Sequence, residues 1–283
     1  MKHLRELDED HDYTKVHKEA ERIDKRDRVL LKNEEERRVF EEVFDRKTLM
    51  SLYSLSNRGA FSYLNGVVSS GKESRVYWGV KEDKSNVAVK IYLVSSSDFK
   101  RRAQYVLGDP RFKRFRRDSR SVAELWARKE FTNLSQAYEA KASVPKPETF
   151  LENVLITEFV GENGVAAKKL VDIDVMKKDY FEIIRQLKIL YSKAGIVHGD
   201  MSEYNVFKFR KKIVLFDFGS AVSTLHPLAG EFLARDVANL NRFFQKRGFA
   251  TLEIEKIITK VSGKRQESEV WEDGGGAVNQ GPA

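Results

Sequence analysis

The sequence predicts an α+β fold with two lobes, and three observations support that class. Apolar residues between about 61 and 94 form β-prone runs separated by turn residues. Between about 171 and 261 they recur instead at helical spacing. Gly161 and Gly164 lie between these segments and predict a hinge, and a chain of 283 residues is long enough for one such domain with extensions.

The composition excludes several classes of protein. Hydrophobic residues make up 41% of the chain, which is enough for a core, and 33% of the residues are charged. The absence of cysteine excludes disulfides and thiolate metal sites. No apolar run approaches the ~20 residues of a membrane-spanning helix, and the charged N-terminus lacks the apolar core of a signal peptide. We therefore expect a cytoplasmic protein with no membrane partner.

The first lobe is expected to comprise residues 49–160, preceded by a charged, partly helical extension of residues 1–48. Asp45 is a suitable N-cap for a helix that would end at Gly59. A basic, flexible loop is predicted at residues 95–120, and a helix follows it at 121–141. The five predicted strands cover residues 61–68, 74–80, 87–94, 150–155 and 156–160.

The second lobe is expected to comprise residues 161–262, followed by a disordered, glycine-rich tail at 263–283. Its first helix is predicted at 171–194, with Phe181 among the inward-facing residues. A helix with proline in its first turn would begin at His226. A hairpin at 206–209 and 213–216 and a last helix at 251–261 complete the predicted elements.

Most of the positive charge lies in one segment. The chain has a net charge of +8, and from Lys100 to Arg120 nine basic and two acidic residues give a net charge of +7. Tyr105, Phe112 and Phe115 are interleaved with these charges. Such a mixture suits contact with an RNA backbone and occasional base stacking. A solvated loop without a partner is the alternative.

A carboxylate, an amide five residues later and an Asp-Phe-Gly at a strand end are the groups used in kinase-type phosphoryl transfer. Here they are Asp200, Asn205 and Asp217. Asp200 would orient the attacking hydroxyl or water, while Asn205 and Asp217 would hold the Mg²⁺ that bridges the phosphates of ATP. A lone Asp-Phe-Gly is also a common strand-end turn. Here, however, the Asp-Phe-Gly follows a glycine loop and a Val-Ala-Val-Lys run in the chain, and this order of motifs favours an ATP-dependent phosphotransferase.

The glycine loop at residues 66–77 precedes these motifs. Gly66, Gly71 and Lys72 mimic the spacing of a Walker A loop, but Glu73 stands where a hydroxyl would have to reach the metal. The residues that follow are strand-like, whereas a Walker A loop leads into a helix. We therefore predict a β-hairpin that covers the phosphates, with an ordinary glycine hairpin as the alternative.

Lys90 lies in mid-strand among apolar residues, where an unpaired ammonium would be costly. We expect it to bind phosphate oxygens and the carboxylate of Glu130, with Glu124 as the alternative partner, unless Lys90 faces solvent from an edge strand. Asp236 is expected either to brace the catalytic loop through backbone N–H groups or to be a partly exposed helix residue. His198 is expected to be structural.

The segment that would bind the phosphoryl acceptor, after Asp-Phe-Gly, is short. Residues 220–225 separate Asp-Phe-Gly from the next predicted helix, and no Ala-Pro-Glu follows. Gly199 stands where most protein kinases carry an arginine. We therefore expect a trimmed second lobe without an activation segment or a peptide-docking groove.

These motifs together resemble the RIO family of atypical protein kinases, and its first, archaeal-type subfamily most closely. The similarity covers about residues 43–261. It is carried by the segments 69–74, 108–112, 198–205 and 226–237. The resemblance implies a two-lobed protein-kinase-like fold with a trimmed second lobe, extra N-terminal helices and a flexible loop before the helix of the first lobe.

The resemblance also implies roles for single residues. Lys90 and Glu130 would form the lysine–glutamate pair, Asp200 would be catalytic, and Asn205 and Asp217 would bind Mg²⁺, with Mn²⁺ as a substitute. Thr157 would occupy the gatekeeper place. Backbone groups of Glu158 and Val160 would hold adenine. A loop would hold the phosphates through Ser69, Ser70, Gly71, Lys72 and Ser74.

Three functions are compatible with this resemblance and these residues. The first is an autophosphorylating serine/threonine protein kinase that acts in maturation of the small ribosomal subunit, with the precursor particle of rRNA and proteins as partner. The second is an ATPase switch that works through an aspartyl-phosphate on Asp217 and controls release from that particle. The third is a small-molecule kinase of the aminoglycoside phosphotransferase type, against which the basic loop and the N-terminal extension argue.

Overall fold

The computed structural model describes residues 44–94, 103–112, 116 and 118–263. In the first lobe, five strands form one antiparallel sheet in the order β1-β2-β3-β5-β4, which confirms the predicted strand number. The strands are β1 (Tyr63–Ser70), β2 (Ser74–Val80), β3 (Asn86–Tyr92), β4 (Pro147–Leu151) and β5 (Val154–Glu158).

Among the described residues of this lobe, two α-helices accompany the sheet, and each begins at an aspartate N-cap. Helix α1 (Arg46–Asn57) begins where the Asp45 carboxylate accepts a hydrogen bond from the Thr48 N–H at 3.0 Å, as predicted. Helix α2 (Ser119–Glu139) begins in the same way at Asp118 and so starts two residues before the predicted position. Buried apolar residues of α1 and of the sheet share one cluster, which includes Leu52, Leu55, Leu64, Val89 and Ile156.

The turn between β4 and β5 differs from the prediction. The break was expected between residues 155 and 156, but the chain turns at Glu152 and Asn153, where Glu152 has a φ of 50°. Asn153 is buried, and its side-chain amide donates to the Tyr92 carbonyl at 2.8 Å and to the Thr48 hydroxyl at 3.0 Å. Tertiary hydrogen bonds therefore fix this turn.

The segment predicted as a glycine hinge between the lobes forms a small hairpin. Strands β6 (Gly161–Glu162) and β7 (Val165–Ala166) pair around Asn163 and Gly164, whose φ angles are 50° and 77°. Two positive φ angles are those of a type I′ turn, which Asn-Gly favours. A Cβ on Gly164 would lie 2.3 Å from the ring of Trp78 in β2, so the hairpin packs tightly against the sheet.

The second lobe is mainly helical. Three helices pack around one buried cluster that includes Ile183, Leu187, Val237, Phe244 and Ile257. The helices are α3 (Lys177–Ser192), α4 (Ala229–Lys246) and α5 (Ile254–Ser262). Two two-stranded sheets accompany them: β8 (Ile196–Val197) with β11 (Val222–Ser223), and β9 (Val206–Phe209) with β10 (Lys212–Leu215).

Helix α3 is shorter than the predicted helix 171–194. It begins at Lys177, because the Asp179 carboxylate accepts a hydrogen bond from the Met176 N–H at 2.8 Å and so closes the first turn. A separate 3₁₀ turn occupies Leu170–Asp172. The prediction that Phe181 faces inward is wrong, because its side chain is 40% exposed and contacts the edge of Tyr180.

The hairpin β9–β10 confirms the prediction closely, and its turn residues Arg210 and Lys211 both have positive φ. Helices α4 and α5 each begin three residues later than predicted. Residues 221–228, between the 3₁₀ turn Phe218–Ser220 and α4, contain only the two-residue strand β11, so no activation segment is present there.

Some predictions fall outside the described residues. These are the helical stripe of the N-terminal extension, the tail beyond residue 263 and six of the nine basic residues between Lys100 and Arg120. Among the residues that are described, no helix is both long enough and apolar enough to cross a membrane.

Candidate active site

A cavity of about 640 Å³ lies between the five-stranded sheet and the second lobe. Ten of the twelve predicted site residues line it: Ser69, Gly71, Lys72, Ser74, Lys90, Glu130, Glu158, Val160, Asn205 and Asp217. Asp200 lines an adjoining cavity of about 640 Å³, and both cavities share Lys90 and Asp217. Ser70 lines neither cavity, so the structure does not bring it together with the others.

Lys90 forms the centre of the shared wall. Its ammonium lies 2.7 Å from Glu130 Oε2 and 3.0 Å from Asp217 Oδ1. Burial alone would lower the pKa of Lys90, but the carboxylates of Asp217 and Glu130 outweigh it and hold the pKa well above its usual value. Glu130 is therefore the helix partner, whereas the alternative, Glu124, lies beside Arg120 instead.

Asp217 has an unusual backbone conformation. Its φ and ψ are 64° and 70°, in the left-handed region, and it directly precedes the 3₁₀ turn Phe218–Ser220. Left-handed backbone is uncommon for a non-glycine residue; it occurs in turns and also recurs at functional sites. The Asp217 side chain is 45% exposed, so its carboxylate contacts both Lys90 and the cavity.

Asn205 and Asp217 fit a Mg²⁺ ion. The Asn205 amide nitrogen donates to the Asp200 carbonyl at 2.8 Å and to the Asp200 carboxylate at 3.1 Å. This leaves the amide oxygen as the atom that can bind a cation. The Phe216 N–H donates to the Asn205 carbonyl at 3.1 Å and so joins the two segments. One carboxylate and one amide oxygen suit Mg²⁺, which keeps several water or phosphate ligands.

The loop that carries Asp200 is braced from α4 by Asp236. The Asp236 carboxylate is fully buried and accepts hydrogen bonds from the N–H groups of Gly199 at 2.8 Å and Met201 at 2.9 Å. This confirms the predicted brace, and the alternative of a partly exposed helix residue is wrong. Burial raises the pKa of Asp236 to about 6. His198 is also buried, and its Nε2 lies 3.1 Å from the Phe216 carbonyl, in agreement with a structural role.

Gly199 has no room for a side chain. Its φ is 75°, and a Cβ would lie 2.7 Å from the Ser220 carbonyl oxygen. The close approach of these two backbones explains physically why this chain carries glycine at that position. Partial burial raises the pKa of the neighbouring Asp200, and the nearby Asp217 carboxylate raises it further.

Sequence analysis missed Arg235 and gave Tyr105 no role in this site. Arg235 lies in α4 and donates hydrogen bonds to the Gly199 carbonyl and to the Tyr105 hydroxyl. Its guanidinium also lies 4.9 Å from the ring centre of Phe232. No local pattern could have found this contact, because Tyr105 and Arg235 are 130 residues apart in the chain.

One end of the cavity between the sheet and the second lobe contains the residues predicted to bind adenine. Thr157, Glu158 and Val160 line it, and the Val160 carbonyl accepts a hydrogen bond from the Ala167 N–H at 2.8 Å. Phe207 and Phe216 also line the cavity, with stacked rings whose centres are 3.8 Å apart. Sequence analysis did not identify these two aromatic residues, which supply a flat apolar surface suited to a purine.

The other end of this cavity is formed by the turn between β1 and β2, which was predicted to cover phosphates. Ser69, Gly71, Lys72 and Ser74 line the cavity there, and the Gly71 N–H donates to the Ser74 carbonyl at 2.9 Å. The loop is thus a β-hairpin turn, as predicted, and not a loop that leads into a helix.

Comparisons with known proteins agree with this geometry. The family model described as the RIO domain matches residues 75–257. The RIO-type serine/threonine-protein kinase Rio1 of Haloferax volcanii is 38% identical over 238 residues, which are 81% of this chain and 82% of that protein. The protein of the same name from Methanocaldococcus jannaschii is 40% identical over 215 residues, which are 75% of this chain and 73% of that protein.

A solved structure shares the fold. The Rio2 kinase–ADP/Mg²⁺–phosphoaspartate complex from Chaetomium thermophilum matches with a TM-score of 0.59 and 21% sequence identity, over 76% of this chain and 66% of that chain. This likeness confirms the two-lobed, protein-kinase-like fold. Because the family model matches more than half of the chain and both archaeal relatives are aligned over most of their length, the chain belongs to the RIO family and is a kinase-type phosphotransferase.

Proposed function

We propose that this protein is a Mg²⁺- and ATP-dependent atypical serine/threonine protein kinase that phosphorylates itself and acts in maturation of the small ribosomal subunit. One observation carries the catalytic part of this proposal: the Lys90 ammonium lies between the carboxylates of Glu130 and Asp217 at the wall shared by both cavities. This arrangement matches the lysine, helix glutamate and metal-binding aspartate of kinase chemistry.

The residues of the cavity between the sheet and the second lobe would bind ATP. Lys90 would donate hydrogen bonds to phosphate oxygens while Glu130 keeps its side chain in place. The turn at residues 69–74 would cover the phosphates with backbone N–H groups and serine hydroxyls. Asn205 and Asp217 would hold Mg²⁺, which supplies positive charge to the phosphates during transfer.

Asp200 would bind and orient the acceptor. Its carboxylate lies in the adjoining cavity, and the Asn205 amide holds one of its oxygens at 3.1 Å. An acceptor hydroxyl that donates to the other oxygen would be aligned for attack, and Asp200 would accept its proton. The raised pKa of Asp200 suits a proton acceptor better than an ordinary surface aspartate would.

An ATPase switch is the second candidate, and the narrow acceptor side favours it. Tyr105 and Gln104 line the cavity of Asp200, and residues 220–228 offer no platform for a peptide. An Asp217 oxygen would attack the γ-phosphorus and ADP would leave; water would then hydrolyse the aspartyl-phosphate and release phosphate. The phosphoaspartate in the Chaetomium thermophilum Rio2 complex supports this route for a protein of the same fold.

The proposed partner is a precursor particle of the small ribosomal subunit, in the cytoplasm. Contact with RNA would be made through the basic loop at residues 100–120, whose net charge of +7 suits a phosphate backbone. The RIO family assignment favours such a partner over the small-molecule acceptor of the aminoglycoside phosphotransferase alternative.

The test is the Asp217→Ala variant, with Asp174→Ala as the matched control at an exposed aspartate of the second lobe. We expect Asp217→Ala to lower Mg²⁺-dependent ATP turnover by at least about 100-fold, because the proposed charged ligand is lost. Asp174→Ala should behave as wild type. Wild-type turnover in Asp217→Ala would overturn the metal assignment.

The phosphorylated product separates the two candidate functions. Incubation with γ-labelled ATP should leave an acid-stable phosphoserine if the kinase function dominates. A hydroxylamine-sensitive aspartyl-phosphate, with release of free phosphate, would support the ATPase switch instead.

A further inference from the structure

Helix α2 contacts the segment that follows Asp217 through two polar side chains. Lys129 and Asn133 lie four residues apart, so they are on the same face of the helix. Both are fully buried. Glu130, the partner of Lys90, directly follows Lys129 in the same helical turn.

The Lys129 ammonium binds backbone carbonyls after Asp217. It donates to the Gly219 carbonyl at 2.9 Å and also to the Ala221 carbonyl. Aromatic rings flank it, with the ring centres of Trp126 and Phe112 at 5.6 and 5.9 Å. Burial of an ammonium is expensive, so its presence here needs an explanation beyond the filling of space.

Asn133 completes the contact. Its amide nitrogen donates to the Phe218 carbonyl at 2.9 Å and to the Ala221 carbonyl at 2.8 Å. The two side chains together therefore hold the carbonyls of residues 218, 219 and 221. These carbonyl directions fix the peptide planes that follow Asp217, whose own backbone is in the left-handed region.

We propose that Lys129 and Asn133 are positioning residues that hold Asp217 in its metal-binding orientation. The inference rests on the proposed role of Asp217 as a ligand of Mg²⁺. Because α2 also carries Glu130, one helix aligns the Lys90 ion pair and the metal-binding segment together. This alignment uses no activation segment, since residues 221–228 contain only the two-residue strand β11.

A purely structural role makes a different prediction from a positioning role. Replacing a buried charge by an apolar side chain of similar volume is often neutral or stabilising for a fold. Lys129→Met should therefore leave the protein folded while the segment after Asp217 loses the hydrogen bonds from Lys129. We call Lys129 and Asn133 the anchor residues and their variants the anchor variants. A structural role would instead lower the melting temperature and leave the activity of the folded protein intact.

The experiment compares Lys129→Met and Asn133→Leu with Val122→Ala, which removes buried volume from the same helix but keeps both polar side chains. We expect both anchor variants to lower kcat at least tenfold and to raise the Mg²⁺ concentration for half-maximal activity at least tenfold. Nucleotide affinity measured with EDTA should change less than about twofold, because the adenine contacts are kept. Val122→Ala should keep the wild-type Mg²⁺ requirement.

Three outcomes would overturn the inference: a wild-type Mg²⁺ requirement in both folded anchor variants, the same shift in Val122→Ala, or a melting temperature that falls without loss of kcat. Asp217→Ala, measured alongside, separates this inference from the proposed function. If Asp217→Ala is fully active, the metal assignment fails; if it is inactive while Lys129→Met is fully active, only the positioning role fails.

Discussion

Tyr92 shows how one hydroxyl contributes to the ion pair at Lys90. Its O–H donates to Glu130, the carboxylate that also binds the Lys90 ammonium. Burial and the Glu130 carboxylate raise the pKa of Tyr92 well above its usual value, so the hydroxyl remains a donor at neutral pH. The Glu130 carboxylate is thus held by both the Lys90 ammonium and the Tyr92 hydroxyl.

We predict that Tyr92→Phe lowers kcat/KM for ATP by about tenfold, the usual effect of losing a hydrogen bond to a charged group. The measurement is steady-state kinetics with varied ATP. Tyr138→Phe, at an exposed tyrosine of α2, is the matched control and should be unaffected. Equal kinetics for the two variants would show that the hydroxyl does not support the pair.

Asp236 predicts a pH dependence of stability. Its pKa in the fold is about 6, against an ordinary value of 3.8, because burial disfavours the charged form. Between these two pH values the folded state binds more protons than the unfolded state. Its contribution to the free energy of unfolding is therefore largest below about pH 4 and is lost as the pH rises through about 6.

The measurement is urea denaturation of wild type and Asp236→Asn from pH 4 to 7, since the difference between them cancels other titrating groups. Over this range wild type should lose up to about 3 kcal/mol relative to the variant. The pKa of about 6 already includes the opposing effects of His198, Arg235 and the two backbone N–H groups, all of which favour the ionised form. Parallel curves for the two proteins would contradict the burial effect.

At the scale of elements, the hairpin β6–β7 is anchored by a glycine. Gly164 has a φ of 77°, and a Cβ there would lie 2.3 Å from the Trp78 ring. We predict that Gly164→Ala lowers the free energy of unfolding by about 2 kcal/mol or more, through both backbone strain and overpacking. The matched control is Gly230→Ala in α4, where a Cβ meets nothing within 4 Å and helix propensity should make the variant about 0.5–1 kcal/mol more stable. Urea denaturation distinguishes them, and equal losses would refute the argument.

Elements with strong local signals were predictable from the sequence. Helix α1 follows from Asp45 as N-cap and Gly59 beyond its end, and β2 follows from a β-prone run. The turn at Glu152 was not predictable, because it depends on hydrogen bonds from Asn153 to Tyr92 and Thr48, which are 61 and 105 residues away. The Asn-Gly turn at residues 163–164 carried a local signal that the hinge interpretation overlooked.

Some residues of the candidate site were likewise predictable from the sequence, and others were not. The predicted catalytic residues Lys90, Asp200 and Asp217 stand in recognisable motifs, and the structure places all three at the two adjoining cavities. The choice of Glu130 over Glu124 required the distance to Lys90. Supporting residues such as Lys129 and Arg235 bind backbone carbonyls, whose directions depend on the tertiary path of the chain, and therefore leave no pattern in the sequence.

At the scale of the whole molecule, residues 103–112 of the basic loop contact the second lobe. The Leu107 carbonyl lies 2.9 Å from His226 Nε2, and the buried Asp109 accepts a hydrogen bond from the Ser223 N–H. Tyr105 of the same segment lines the cavity of Asp200. A partner bound to residues 103–112 would therefore lie next to the cavity that Asp200 lines.

RNA binding by this loop is the last prediction. Each phosphate contact by a lysine or arginine contributes about 0.7 to the slope of log affinity against log salt for a single strand. The variant changes three arginines of the loop to glutamine: Arg114, Arg116 and Arg117. It should bind a single-stranded RNA oligonucleotide more weakly, and the slope should flatten by up to about 2. The matched control changes three exposed lysines of α3, Lys177, Lys178 and Lys188, and removes the same charge from another surface. Fluorescence anisotropy at several salt concentrations measures both slopes. If the loop variant keeps the wild-type slope, or the control flattens it equally, the loop is not the RNA-binding surface, because only a local contact distinguishes two variants of equal net charge.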